Sequence, residues 1–460
     1  MMKKILLINP PVIEELTLNT QPVPLGVLSI AQYLRQKGHN CKVINLCNCK
    51  CWGEVRKKLC FELSVDYVGI PCFTRQRFSV VKLAELVKEM NPRVQLWLGG
   101  PHATFLDIDI LKKYKCVDFI IRGEGEETAA CLVSNSSMLH QIDGITFRDN
   151  FGEVIRNKDR KKLQQLEKFP VPLQSVDELE KLNQSDSLLF HFPDFRGKNL
   201  KIAPLISSRG CNGNCTFCCN RAYWGKQRYA EFRFLKNQLD YYFTNGIVFF
   251  DVYDDDFTEN RFLVHELTKY ILDNNMDIHW WCSSRVDSVD IDLLRAMKQA
   301  GCFMISYGVE SGSQLILNNI KKGIKIKRIL KAGELAKQVG LDFRVTISIG
   351  HTGENMGTIQ ETINLLNCLK PKQIALFILK VYPGTPIYEQ MINSGLLSDE
   401  YWFDEKLPIV PFFTVENSKE DLVAYRNKIE NSINATILER YEDELGSVEL
   451  TLDWRKRDER

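Results

Sequence analysis

Short apolar runs alternate with amphipathic stretches through about the first 135 residues of the chain. In the first amphipathic stretch, Val27, Ile30, Ala31 and Leu34 recur at helical spacing, so they share one face of a predicted helix. The apolar runs are predicted strands, at residues 5–9, 42–46, 67–71, 94–98 and 119–121. Strand–helix alternation at this spacing predicts an α/β fold with a doubly wound, flavodoxin- or Rossmann-like parallel sheet.

The alternation resumes in the second half of the chain. Before it, Asp149-Asn150-Phe151-Gly152 predicts a hairpin at 144–156, and the charged, proline-interrupted residues that follow show no sustained period. Further predicted strands lie at residues 202–207, 247–252, 278–283, 303–308, 343–349 and 374–381. Six such strand–helix units suit an open, partial (β/α)6 barrel better than a closed barrel of eight strands. The predicted parts are an α/β domain at 1–156, a linker at 157–200, the barrel at 201–395 and a helical cap or tail at 396–460.

Charge and composition exclude several classes of protein. The 460 residues carry 60 Lys and Arg against 58 Asp and Glu, so no field of one sign favours nucleic acid or an anionic membrane as a partner. No run approaches the ~18 apolar residues of a membrane span, and the N-terminal apolar run is too short for an export signal. We therefore expect a cytoplasmic protein whose 15 cysteines are reduced thiols or metal ligands rather than disulfides.

Three cysteines stand close together directly after the first predicted strand of the barrel. Cys211, Cys215 and Cys218 form a CxxxCxxC run on a loop rich in Gly and Asn, and three thiolates at this spacing can converge on one soft metal centre. A tetrahedral zinc needs a fourth ligand at similar spacing, and none follows. Three ligands to a cubane cluster leave one iron open, which is a catalytic arrangement. Structural zinc or buried thiols remain the alternatives.

Cys47, Cys49 and Cys51 form a second, alternating run of cysteines in the first domain. A second metal site is one interpretation of this run. A loop without metal is the favoured one, because the alternating thiols have no distant partner.

The barrel resembles the radical S-adenosylmethionine (SAM) superfamily. The CxxxCxxC run carries Phe217 before its last cysteine, and the resemblance continues in order after four further predicted strands. The segments that carry it are Asp254-Asp255-Asp256-Phe257-Thr258, Cys282-Ser283-Ser284-Arg285-Val286-Asp287, Tyr307-Gly308-Val309-Glu310-Ser311-Gly312-Ser313 and Tyr382-Pro383-Gly384-Thr385-Pro386.

The resemblance implies a [4Fe–4S] cluster held by the three cysteines, with SAM chelating the open iron. It implies that Phe217 lies near the adenine, that Glu310 contacts the ribose or methionine portion, and that Arg285 pairs with the methionine carboxylate. Asp254 stands where the family often has Gly-Gly-Glu to receive the SAM amino group, and this chain lacks Gly-Gly-Glu. For each charged residue, a solvated position at the rim is the alternative.

The first domain resembles the cobalamin-binding domain that precedes the barrel in one branch of that superfamily. Ligands of open α/β sheets bind at the carboxyl ends of the strands, and no dinucleotide fingerprint follows the first strand. Gly99-Gly100-Pro101-His102 is the most specific segment, although a structural role for His102 is about as plausible. The Asp-x-His-x-x-Gly segment that supplies a histidine lower ligand to cobalt is absent. The resemblance implies a cobalamin site lined by Thr74, Gly99, Gly100, His102, Gly123 and Glu124.

The function that follows from these resemblances is radical methylation. We expect reductive SAM cleavage and methylation, through methylcobalamin, of an unactivated carbon on a small-molecule or natural-product substrate. The expected partner is an external one-electron reductant of the flavodoxin or ferredoxin type. The alternatives are radical rearrangement or cyclisation without methyl transfer, a non-catalytic cobalamin module, and an RNA-modifying enzyme, which the near-neutral charge disfavours.

Overall fold

A computed structural model describes residues 2–11, 24–169 and 201–433, with the backbone of 438–439. The chain forms two compact units, Met1–Gly197 and Lys198–Arg460. Within the described ranges, no helix is both long enough and apolar enough to cross a membrane.

The first unit is built on a seven-stranded sheet. Its strands are β1 (Lys4–Asn9), β2 (Asn40–Asn45), β3 (Tyr67–Pro71), β4 (Gln95–Gly99), β5 (Phe119–Ile121), β6 (Ile145–Arg148) and β7 (Val154–Arg156). The order is β2-β1-β3-β4-β5-β6-β7, with β1 to β5 parallel and the β6–β7 hairpin antiparallel. The order 2-1-3-4-5 is that of a flavodoxin-like sheet, in which ligands bind where the strand order reverses, between β1 and β3.

Helices follow the strands of the first unit. They are α1 (Leu25–Gln36), α2 (Trp52–Leu59), α3 (Arg77–Met90), α4 (Pro101–Phe105), α5 (Asp107–Lys113) and α6 (Glu126–Ser134). The predicted apolar face of α1 is buried against the sheet, with Ala31 and Leu34 fully covered. Gly125 keeps α6 close to α1, because a Cβ there would lie 2.8 Å from Cδ1 of Ile30.

The second unit is built on a parallel sheet. Its strands are β8 (Ile202–Leu205), β11 (Phe249–Val252), β12 (His279–Ser284), β13 (Cys302–Glu310), β14 (Asp342–Ile349), β15 (Gln373–Ile378) and the two-residue β16 (Leu438–Glu439), in the order β16-β15-β14-β13-β12-β11-β8. A short antiparallel ribbon pairs β9 (Ser208–Arg209) with β10 (Arg228–Tyr229). The sheet is open, because β8 and β16 lie at its two edges.

Helices connect the successive parallel strands of this second sheet. They are α7 (Asn220–Trp224), α8 (Phe232–Thr244), α9 (Arg261–Asp273), α10 (Ile291–Gln299), α11 (Gln314–Asn319), α12 (Ile326–Gln338), α13 (Met356–Leu369), α14 (Pro386–Asn393) and α15 (Lys419–Ser432). The α/β fold with a doubly wound sheet followed by an open, six-unit partial barrel is confirmed.

The described ends of the predicted linker and cap have definite contacts. Residues 157–169 contact the first unit, where Asn157 donates to the carbonyls of Leu139 and Ile142 and the ring of Phe169 packs on Tyr33. Residues 170–200 lie outside the described residues. In the predicted cap, α15 begins with a capping box at Ser418, and the tail from residue 440 onward again lies outside the described part.

Candidate active site

The loop that follows β8 brings two cysteine sulfurs to one point. A Cβ at Gly213 would lie 3.4 Å from Sγ of Cys211 and 3.7 Å from Sγ of Cys215. Gly213 therefore leaves open the space between these two half-buried thiols, and any larger residue would fill it.

Backbone N–H groups of the same loop face the sulfurs. Gly213 N–H lies 3.3 Å from Sγ of Cys211, and Asn220 N–H lies 3.4 Å from Sγ of Cys218. Cys218 also donates its backbone N–H to the carbonyl of Cys215, which turns the loop back on itself. N–H groups in this position stabilise negative charge on sulfur and tune iron–sulfur centres.

Three neighbouring half-buried thiols with N–H donors fit an iron–sulfur cluster. Burial raises the pKa of all three thiols, that of Cys218 to about 12, so metal binding must displace their protons. Among the described residues, no three His, Cys, Asp or Glu side chains are arranged to hold a single metal ion.

Each carboxylate of the run Asp254-Asp255-Asp256 holds a different segment of the site. Asp254 is buried and accepts the backbone N–H groups of Ser207 and Ser208, at 2.8 and 3.1 Å, together with the Ser207 hydroxyl. Asp255 accepts from the side-chain amide of Asn220 at 2.7 Å, just after the cysteines.

Asp256 accepts the backbone N–H of Arg285 at 3.1 Å. Burial raises the pKa of Asp256 to about 6. The run thus joins both ends of the cysteine loop to the loop after β12. The SAM contact that the resemblance implies for Asp254 stays a prediction.

Arg285 lies beside the cysteine loop with part of its guanidinium engaged. Nε and Nη2 bind the two carboxylate oxygens of Asp287 at 3.0 and 2.9 Å, and Nη2 also donates to the carbonyl of Lys322. The third nitrogen, Nη1, lies 3.6 Å from the Cβ position of Gly213. Arg285 is therefore at the cysteines, and its Nη1 makes no hydrogen bond to a described residue.

Glu310 forms a buried ion pair with a lysine that sequence reasoning missed. Lys322 Nζ donates to Oε1 of Glu310 at 2.9 Å, and both side chains are about nine-tenths buried. Glu310 has a left-handed backbone, with φ of 69°, an uncommon conformation that clusters at functional sites. Gly308 makes room for the pair, because a Cβ there would lie 2.8 Å from Nζ and 2.9 Å from Oε1.

The turn that carries Lys322 is bonded to the cysteine loop. Thr216, between the second and third cysteines, donates its N–H to the carbonyl of Ile320 at 3.0 Å and accepts from the N–H of Ile387 at 3.2 Å. Ile387 lies in the first turn of α14, which Thr385 caps. The Tyr382–Pro386 motif of the sequence therefore supports the cysteine loop from the far side of the sheet.

A second missed residue is His351, which follows β14. Its ring packs against Phe217 with centroids 5.3 Å apart, and its buried Nε2 makes no hydrogen bond to a described residue. Burial lowers the pKa of His351 to about 3, so the imidazole is neutral. Its position at the carboxyl end of a barrel strand was the available signal, because that edge carries the active sites of barrels. Lys322 lies in a turn after a helix and gave no such signal.

In the first unit, the predicted ligand edge is defined by backbone and by one neutral histidine. Thr74 and His102 are buried, and Oγ1 of Thr74 lies 3.3 Å from Nδ1 of His102. Burial lowers the pKa of His102 to about 3, so its imidazole is uncharged. The contacts of both residues join β3 to β4, and His102 also donates its N–H to the carbonyl of Cys72.

The glycines of this edge differ in what they require. Gly100 has φ of 87°, and a Cβ there would lie 3.1 Å from the carbonyl oxygen of Cys72, so both backbone and space demand glycine. A Cβ at Gly99 would lie close only to the carbonyl oxygen of Ile121, at 3.4 Å. Gly123 is also left-handed, with nothing within 4 Å of its Cβ position, and Glu124 beside it is half-buried. The open backbone at Gly99 and Gly123 fits a bulky ligand, whereas Gly100 is required by its contact with the Cys72 backbone.

Comparison with known families agrees with this division of the chain. The family model described as the B12 binding domain matches residues 16–133, and that of the Radical SAM superfamily matches residues 205–366. An uncharacterized methyltransferase of Pyrococcus horikoshii is 29% identical over 408 residues, which cover 87% of this chain and 85% of that protein. The anaerobic magnesium-protoporphyrin IX monomethyl ester cyclase of Synechocystis sp. is 28% identical over 349 residues, or 73% of this chain and 66% of the cyclase.

Solved structures share the fold at low sequence identity. The radical SAM methyltransferase TsrM of Kitasatospora setae, solved with cobalamin and a [4Fe–4S] cluster, gives a TM-score of 0.69 at 14% identity over 85% of this chain and 78% of its own. The cobalamin-dependent SAM radical enzyme OxsB gives a TM-score of 0.70 at 18% identity, over 93% of this chain and 66% of its own. The cofactor of the B12 binding domain is cobalamin. The cofactors of the Radical SAM domain are a [4Fe–4S] cluster and SAM. The chain is a radical SAM enzyme with an N-terminal B12 binding domain, and it is similar to proteins named as methyltransferases.

Proposed function

We propose that this enzyme methylates an unactivated carbon of a small-molecule or natural-product substrate. The observation that carries the proposal is the open space at Gly213 between the thiols of Cys211 and Cys215, in a loop whose N–H groups face sulfur. When bound, the cluster, SAM and cobalamin supply the chemistry: one-electron cleavage of SAM to methionine and a 5′-deoxyadenosyl radical, and a methyl group for the substrate radical.

The side chains of the second unit divide the work of holding the cluster and SAM. Cys211, Cys215 and Cys218 would hold the cluster as thiolates, and the N–H groups of Gly213 and Asn220 would stabilise the charge on the sulfurs. Asp254 acts by fixing the start of the loop through its bonds to residues 207 and 208.

The SAM-facing residues in this proposal are Phe217, Arg285 and Glu310. Phe217 offers an aromatic face that His351 supports from behind. Nη1 of Arg285 is available to the methionine carboxylate, and Glu310, fixed by Lys322, accepts hydrogen bonds from hydroxyl or amino groups.

In the first unit, Thr74, Gly99, Gly100, His102, Gly123 and Glu124 would line the cobalamin site. Because His102 is neutral and already bonded to Thr74, it lines the pocket without introducing charge. The glycine backbone at 99, 100 and 123 permits the close approach of a large ring system.

The electron in this proposal comes from an external one-electron donor of the flavodoxin or ferredoxin type.

The test uses enzyme reconstituted anaerobically with iron, sulfide, cobalamin and SAM, and supplied with a one-electron reductant. Formation of 5′-deoxyadenosine together with S-adenosylhomocysteine, and a substrate that gains the mass of one methylene, would support radical methylation. Absence of SAM cleavage by the reduced, cluster-loaded protein would overturn it.

Radical cyclisation without methyl transfer is the second candidate. The similarity to the cyclases of Synechocystis sp. and Rubrivivax gelatinosus favours it. A product without added mass, formed with 5′-deoxyadenosine but without S-adenosylhomocysteine, would identify this reaction instead.

A further inference from the structure

The two faces of β11 have opposite surroundings. Phe250 packs on Tyr242 of α8 with ring centroids 6.4 Å apart, so this face of the strand is turned to the helices. Phe249 instead packs on His279, its register partner on β12, with centroids 4.8 Å apart. Because side chains alternate along a strand, Asp251 shares the face of Phe249, away from the helices.

The face that carries Asp251 is the more accessible face of the sheet. On β12, His279, Trp281 and Ser283 are half-buried, whereas Trp280 and Cys282 on the helix side are fully buried. The face turned away from the helices therefore lines the interior of the partial barrel, and Asp251 lies on it next to Trp281, its register partner.

Asp251 is buried and has no partner among the described residues. The residue is only 6% exposed, and no described residue donates a hydrogen bond to its side chain or forms an ion pair with it. Burial alone raises the pKa of Asp251 well above its usual range. The neighbouring carboxylates of residues 254–256 each hold a segment of the loop, so Asp251 is the carboxyl group in this part of the chain without a structural task.

Proteins rarely leave a buried carboxyl group unpaired, because the group loses its hydration without compensation. Such a group persists where a ligand completes it. The flanking rings of Trp281 and of the Phe249–His279 pair favour one kind of ligand, because aromatic faces attract cations. A carboxyl group among aromatic rings is typical of a site for an organic ammonium ion.

We propose that Asp251 is a substrate-binding residue that accepts a hydrogen bond from a protonated amine of the substrate inside the barrel. The assignment rests on the proposed function, since it places the substrate in the barrel of a radical SAM enzyme. It narrows the substrate class to small molecules that carry an amine.

The experiment titrates the reconstituted holoenzyme with two probes of similar shape, phenethylammonium and uncharged 2-phenylethanol, by calorimetry. We expect wild-type enzyme to bind the ammonium probe at least about tenfold more tightly than the alcohol. Asp251→Asn should remove about that factor for the ammonium probe and leave the alcohol unchanged, as expected for the loss of a charged hydrogen bond. Asp273→Asn, at an exposed aspartate ending α9, is the matched control and should change neither affinity.

A second variant separates binding from folding. Asp251→Leu removes the unpaired group and should raise the thermal midpoint while abolishing the preference for the ammonium probe. Equal affinity of wild type for the two probes, or a lower thermal midpoint in both Asp251 variants, would overturn the proposal. SAM cleavage by wild-type enzyme is measured in parallel: cleavage without a preference for the amine defeats only this inference, whereas absence of cleavage defeats the proposed function.

Discussion

The two units place their sites at the same kind of sheet edge and build them by different means. In the first unit, the edge consists of glycine backbone and the buried Thr74–His102 pair, in which the imidazole of His102 is uncharged. In the second unit, it consists of three thiols, three consecutive carboxylates and the buried Glu310–Lys322 ion pair.

The difference follows from what each edge must hold. A large preformed ring needs space and close backbone approach, which glycines supply. A cluster assembled on the chain needs thiolates at fixed positions, and hydrogen bonds from neighbouring loops fix them. We therefore expect substitutions in the second unit to affect cluster binding through the cysteine ligands and the hydrogen bonds that fix them. Substitutions in the first unit should affect cobalamin binding through the space that the glycines leave.

The largest effect is expected from removal of one ligand. Cys215→Ala should abolish iron loading and SAM cleavage while leaving cobalamin binding largely intact, because the two cofactors belong to different units. Iron analysis, visible absorption and cobalamin retention after gel filtration measure this. Cys219→Ala is the adjacent control and should retain iron. Loss of iron and cobalamin together would show that the two sites do not separate as described.

A smaller change tests the space between the ligands. Gly213→Ala places a methyl group 3.4 Å from Sγ of Cys211 and 3.7 Å from Sγ of Cys215, so cluster occupancy should fall severalfold while the apo fold is retained. Iron per chain and circular dichroism measure the two effects. Gly26→Ala, where no atom lies within 4 Å of the Cβ position, is the control. Full occupancy in the Gly213 variant would contradict a cluster seated at this glycine.

Removal of the hydrogen bonds by which Asp254 holds the cysteine loop should lower the stability of the second unit rather than change its chemistry. Asp254→Asn replaces an acceptor of three hydrogen bonds at a buried position, which should cost about 1–3 kcal/mol in the unfolding of the second unit. Denaturant unfolding monitors this. Asp255→Asn, at an exposed position with one described bond, should cost less than about 1 kcal/mol. Equal costs would show that Asp254 does not hold the loop.

Substitution of two adjacent glycines should affect cobalamin binding and stability separately in the first unit. Gly100→Ala forces a left-handed alanine against the Cys72 backbone and should cost about 1–3 kcal/mol. Gly99→Ala meets a single carbonyl at 3.4 Å, so it should fold nearly as well and weaken only cobalamin retention. Thermal unfolding and cobalamin retention are the two measurements. Unchanged retention in the Gly99 variant would count against the proposed pocket.

The smallest effect concerns protonation of His102. Its pKa is lowered to about 3 in the fold by burial, below the ordinary 6.5, so the unfolded chain binds the proton more readily between these values. Stability should therefore fall as pH decreases through this window, by ~1 kcal/mol between pH 6 and 5. Unfolding of wild type and His102→Gln at both pH values measures the difference. An identical pH response of the two proteins would show that His102 is not buried as a neutral group.

The sequence predicted the strands of both sheets except the two-residue β16, which lies in the predicted cap or tail. The predicted runs at 67–71 and 119–121 match β3 and β5, because buried parallel strands leave apolar runs with clear ends. The CxxxCxxC run is local, so its spacing alone brought the three cysteines together.

The unpredicted parts of the site depend on contacts between residues far apart in the chain. Lys322 meets Glu310 only because a turn after α11 bonds to Thr216, and His351 meets Phe217 only through the register of β14. The carboxylate of Asp254 faces residues 207 and 208 across the β8–β11 pair, a choice of partner that no local pattern encodes.

The most direct measurement is electron–nuclear double resonance of the reduced, reconstituted enzyme with SAM carrying labelled amino nitrogen and carboxylate oxygen. Three cysteine ligands leave one iron for SAM, so we expect hyperfine coupling of both labels to the cluster in wild type, and no cluster signal in Cys215→Ala. A loaded cluster that shows no coupling to either label would mean that its fourth iron is closed, and the proposed radical chemistry would then be contradicted.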